Sequence, residues 1–266
     1  MKPITSFALL SAVAVGAAQG AFTDPVGYYS KTLSGQFNFL SVGLANTTEY
    51  QGDLDNTYTD TGAFTPGAFN QGAAAEPQYY LEIAEGVNEG ARIDIISNTA
   101  DTLTVDPGGS AAFSAYLDGS TSAVIRKHMT LNDVFGGDGT AAPANLQIDA
   151  GDSVGNSDNV LIWNGSGFDT YFYDTFFLAP GWNGPGADGG NLVLPPGSGV
   201  IVVDNVNPGN VVTVEGEVKA TKTLIDLPVG FSLISSPVAI DRTLTQLLGG
   251  DGTATPANLA ITEGDN

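Results

Sequence analysis

The sequence predicts an all-β fold: an antiparallel sandwich or barrel-like module with one short helix, repeated in tandem. Three observations carry that expectation. The 266 residues include 35 Gly and 14 Pro, and Thr, Asn and Asp crowd the polar positions, a mixture that supplies many turns between short strands. Strand-length stretches with period-2 alternation recur, and long helix-period stretches are absent after the N-terminus. Finally, Thr130–Asp152 returns as Thr243–Asp265, 113 residues on, with 15 of 23 positions identical, which chance does not produce. The second copy is expected to be truncated, because Asn266 falls where Ser153 stood in the first.

Residues 1–20 read as a secretory signal peptide. Lys2 is its charged start and Ile4–Ala14 its apolar run, too short to span a bilayer. Ala18-Gln19-Gly20 is a small-x-small cleavage site. Two strands follow, Gly27–Leu33 and Phe37–Leu44, with a turn at Ser34-Gly35 between them. A related pair, Lys222–Leu224 and Phe231–Ser235, appears later, the second segment matching Phe37–Ser41 at an offset of 194 residues. That offset differs from the other, so the first unit (21–221) carries an insertion, placed at 45–127, and 222–266 begins an incomplete second unit. Within the insertion, 45–77 reads as loop with at most short strands. A β meander follows over Gln78–Ile83, Ala91–Ile96 and Thr102–Val105, then a further strand or two in 111–127. Ile93 and Ile95 face one side there, Arg92 and Asp94 the other.

Thr130 opens the short helix, with Asp133 in its first turn; Thr243 and Gln246 repeat the capping-box spacing. Leu131, Val134 and Phe135 sit at helical spacing to cover one end of a β core, and Gly136-Gly137 stop the helix. Asn159–Trp163 and Phe168–Tyr173 form a hairpin around Asn164–Gly167. Three more strands are expected at Asn191–Leu194, Gly199–Asp204 and Asn210–Val218.

Charge narrows the function. There are 29 acidic residues against 8 basic ones, a formal −21. Such a surface repels phosphate backbones and anionic lipid, so nucleic acid is not expected as a partner; no membrane span is expected, because no run after residue 20 is long enough to cross a bilayer. With no cysteine, disulfides, thiolate metal sites and cysteine nucleophiles are excluded.

The unit resembles a β module common in bacterial surface proteins, with a W-N-G-x-G-[FY] hairpin (Trp163–Phe168), a P-x-G-x-G turn (Pro196–Gly199) and a closing strand (Val211–Val218). Thr23–Tyr28, Tyr79–Ile83 and Ser97–Val105 are similar to segments of an uncharacterised exported paralogous family of environmental Gram-negative bacteria. The likeness covers most of 22–218. It implies a fold and an exported location and carries over no catalytic residue.

The metal candidates are Asp138, Asp149, Asp152, Asn156 and Asp158, with Asn159 beside them. Their oxygen atoms, together with loop carbonyls, are the ligands that a structural Ca²⁺ would need; plain turn chemistry explains the same residues. The copy keeps Asp251 and Asp265 but has Thr262 where Asp149 stands. The aromatic group Trp163, Phe168, Tyr171, Tyr173, Phe176, Phe177 and Trp182 suggests a sugar-stacking platform, with Trp182 the expected exposed ligand-binding ring and core packing the default for the others. His128 is the only histidine. No nucleophile elbow accompanies it, because Gly165-Ser166-Gly167 lies in a hairpin turn.

The expected function is therefore a structural or adhesive β-repeat protein, exported to the outer cell surface or the medium and not an enzyme. Its partners would be surface polymers or other copies of itself. The alternatives are a carbohydrate-binding or calcium-stabilised recognition module and, less favoured, an extracellular hydrolase using His128 or a carboxylate pair in a deep pocket.

Overall fold

The computed structural model describes residues 25–72, 76–175, 180–186, 189–225, 227, 230–237, 243 and 245–246. The expected signal peptide, Phe176, Phe177 and most of the second motif copy lie outside them. In chain order the strands are β1 (Val26–Thr32), β2 (Phe37–Ser41), β3 (Thr48–Asp53), β4 (Tyr79–Ile83), β5 (Arg92–Asn98) and β6 (Leu103–Val105). Helix α1 (Pro107–Ser114), β7 (Ser122–Lys127), β8 (Met129–Thr130) and α2 (Leu131–Phe135) follow. The chain continues with β9 (Asn159–Trp163), β10 (Phe168–Asp174), β11 (Gly181–Asn183), β12 (Val193–Leu194), β13 (Gly199–Val203) and β14 (Val211–Glu217).

The first body is a sandwich. One layer is the antiparallel sheet β11-β10-β9-β13-β2. The other combines the β1–β14 ribbon, the β12–β8 pair and α2. Alternation sends Leu40, Val160, Val200, Val202 and Tyr171 inward against Val212, Val214, Leu131, Val134 and Phe135. Among the described residues no sheet closes into a barrel. The two strands on either side of Ser34-Gly35 separate into different layers: Tyr29 pairs with Val214, Leu40 with Val200.

Helix α2 forms as its sequence predicts. The Thr130 hydroxyl accepts from Asp133 N–H, and the Asp133 carboxylate accepts from Thr130 N–H at 2.9 Å. Gly136 ends it at φ +81°, where a Cβ would sit 1.9 Å from the Asn145 carbonyl; only glycine fits.

The insertion builds a second body with its own core. Its sheet runs β3-β7-β4-β5-β6. Leu81 faces Ile93 on one side and Ile125 on the other, and that apolar face is covered by Leu54, Phe64, Phe69 and Phe113. Phe113 belongs to α1, which corrects the expectation of strand starting at 111 and of a single helix. The Asp106 carboxylate caps Gly108 N–H and Pro107 fills the first turn, the arrangement that starts a helix.

The reverse face of this sheet is polar and buried. Tyr80 stands beside Asp94 and Arg126, and Glu82 beside Arg92. The end of β14 covers it. Arg126 pairs with Glu217 at 2.5 Å and Lys219 with the fully buried Glu82 at 2.7 Å. Lys219 also donates to the Lys222 carbonyl and the Thr223 hydroxyl, while Thr48 donates twice to Glu217. Burial pushes the Lys219 ammonium down and the Glu82 charge opposes that shift.

Removing Lys219 takes from the buried Glu82 carboxylate its ion-pair partner from the sandwich. Lys219→Met is expected to cost about 3–5 kcal/mol in urea unfolding, and the double change Lys219→Met with Glu82→Leu to recover most of it. Equal losses in both variants would show that the pair does not act as a unit.

Candidate functional site

The predicted metal ligands do not converge. Asp138 accepts from Thr140 N–H and hydroxyl within its own turn, and these bonds hold its carboxyl below the usual range. Asp152 accepts from Asn156 and Ser153, with the Asn156 bond as the first cause of its lowered pKa. The fold does bring Asp149 and Asp158 together, but their oxygens face N–H donors. Asp158 accepts from the backbone of Asp149, Asn205 and Val206 and from the Asn210 side chain. Asp149 accepts twice from Asn207 and once from Asn210. Asn159 donates to the Val154 carbonyl. Among the described residues no three acidic or histidine side chains are placed to hold a metal. The pair is a knot that ties the 205–210 loop to the end of the sandwich.

Asp204 belongs to this knot and was not legible in the sequence. It extends β13 directly across from Asp158, since Val203 pairs with Asn159. It is 5% exposed, and neither carboxylate oxygen has a hydrogen-bond partner among the described residues. Burial first, then the charges of Asp158 and Asp149, push its pKa up, while the Gly209 amide partly offsets them.

The aromatic group is largely structural. Tyr171 and Tyr173 are buried. Trp182 is half-buried on β11; its N–H donates to the Gly136 carbonyl at 3.0 Å and its ring lies against Phe135 and Tyr173. It wedges the α2 turn onto β10 instead of standing free as a sugar platform. Trp163 and Phe168 meet edge to face at the hairpin end, and Trp163 N–H donates to the Phe231 carbonyl.

A groove of roughly 670 Å³ opens between the two bodies, within the size range of small-ligand sites. Asp94 and Asp106 of the meander, Tyr116 after α1, Trp163, Ser198 and Leu233 line it. His128 reaches its wall but is 2% exposed. Its Nε2 lies 2.9 Å from Asp94, its ring rests on Tyr80, and its Nδ1 has no partner among the described residues. The contact braces Asp94, whose side chain is 43% exposed. The groove was missed because its residues come from segments more than a hundred positions apart. Comparison with protein-family models, curated proteins and solved structures returned no match for this chain.

Two outcomes follow from the knot. A buried carboxylate with a raised pKa favours the folded state below its unfolded pKa, and that contribution is lost as pH rises through the folded value. Asp204→Asn is therefore expected to raise the melting temperature at pH 7, with the gain shrinking towards about pH 4; a constant gain across that range would refute the assignment. Because Asp149 and Asp158 face N–H donors, melting curves in EDTA and in millimolar Ca²⁺ are expected to coincide, and a calcium-dependent rise would restore the cation reading.

Proposed function

We propose that this chain is an exported structural or adhesive protein of the outer cell surface or extracellular medium, assembled from tandem β modules. The signal-like residues 1–20, the internal copy and the −21 charge support that reading. One observation carries it. Phe231–Ser235, the counterpart of β2, runs antiparallel to the Pro-Gly-Ser-Gly turn that opens β13: Ser235 N–H donates to Gly197, Gly199 N–H to Leu233, and the Ser235 hydroxyl to Ser198. The segment that matches β2 in sequence thus leans on the sandwich by backbone bonds, which supports a reading in which successive modules of a fibre or surface layer dock in this way.

A second reading, carbohydrate binding, is favoured by the groove. Tyr116 and Trp163 offer ring faces for sugar C–H groups, and the braced Asp94 carboxylate offers a fixed acceptor for hydroxyls.

Proteolysis of intact cells and analysis of the spent medium test the main reading; a pool found only in the cytosol would end it. For the second, affinity electrophoresis through polysaccharide gels is expected to retard the protein, and Asp94→Asn and Tyr116→Ala to lose about tenfold in affinity, the effect of one polar or stacking contact. Retardation unchanged by both variants would exclude the groove.

A further inference from the structure

We propose that β2 is a self-association edge, through which two copies of this chain pair as antiparallel strands to continue the five-stranded sheet. The proposal deepens the structural reading, on which it rests for its choice of partner. Among the described residues β2 is the terminal strand of its sheet, its backbone paired with β13 alone, and only at its last residue does a side chain reach another segment, the Ser41 hydroxyl donating to the Ser236 carbonyl. The Asp204 N–H donates to the Gln36 carbonyl, which fixes Gln36, Asn38 and Leu40 as the positions bonded to β13. The alternation of an antiparallel ladder then turns the N–H and C=O groups of Phe37, Phe39 and Ser41 towards the free edge. On the outer face the Phe37 and Phe39 rings are 62% and 66% exposed. No Pro, bulge or charge blunts this edge, the devices by which exposed strands avoid pairing.

Charge selects another copy as the occupant. Two molecules of −21 repel wherever their acidic surfaces face. Yet no charged residue lies between Lys31 and Glu49, so two copies can pair along β2 without opposing like charges from the strand itself. The register that uses all three outward residues centres on Phe39: each Phe39 meets its counterpart, and Phe37 meets Ser41. The strand's counterpart, Phe231–Ser235, already adds to a backbone of this protein at Gly197–Gly199.

Sedimentation of the purified full chain and photo-cross-linking from Phe39→benzoylphenylalanine test this independently of where the protein resides. A concentration-dependent dimer is expected, strengthening as added salt shortens the screening length from about 30 Å to about 8 Å. The cross-link should join residues 37–41 of two chains. Phe39→Glu, which opposes like charges at the centre, should weaken the dimer on the order of tenfold or more, while Tyr28→Glu, equally exposed on the other layer, should leave it unchanged. Circular dichroism confirms that both variants fold. A monomer at every concentration, a cross-link within one chain to residues 238–266, or equal weakening by both variants would overturn the proposal, whether or not the protein proves to be exported.

Discussion

The buried ionic seam between β4, β7 and the end of β14 sets the relation between the two bodies. The meander sheet is apolar on one face and charged on the other, and much of the charged face is buried. Glu82 and Arg126 are each answered by a group from the sandwich, Lys219 and Glu217. Desolvating these charges is costly, and only good geometry with further hydrogen bonds offsets it. Lys219 reaches three acceptors and Glu217 holds Thr48 as well as Arg126. Such a seam admits few alternative dockings, because a shift of one residue would strand several charges at once. The groove exists because the seam holds the meander beside the Trp163 hairpin.

What was legible in the sequence was local. Strand alternation located β4, β5, β9 and β10 to within a residue or two, the capping box located α2, and glycine at positive φ located its end. α1 was missed because Gly108, Gly109, Ala111 and Ala112 give little amphipathic signal; Asp106-Pro107 was the cue that remained. The sites were less legible because pairing between distant strands creates them. Asp149, Asp152 and Asp158 look like one cluster along the chain, but only Asp149 and Asp158 share partners. Those partners are asparagines and amides of the 205–210 loop. Asp204 joins them through the β9–β13 register, which nothing near it in the sequence announces. Trp182 looked free in its glycine-rich surroundings, yet those glycines are what let the loop fold back and seat the ring.

The acidity of the chain therefore does more than one job. Some carboxylates organise turns, two tie the 205–210 loop, and two lie in the seam, while the remainder give a predominantly acidic surface. A protein of this kind meets other copies most readily where its charge pauses, and the stretch around β2 is such a pause.

The two helix caps bear on how such a chain can change. At Thr130 the reciprocal acceptor is the Asp133 carboxylate, and at Thr243 it is the Gln246 amide; both accept from the threonine N–H at 2.9 Å, and both threonine hydroxyls accept in return at 3.2 Å. One position has lost a full negative charge relative to the other while the bond pattern stayed the same. An exchange of this kind changes the local charge while the cap's bond pattern stays the same. The cap thus needs a side-chain oxygen acceptor three residues on, not a negative charge.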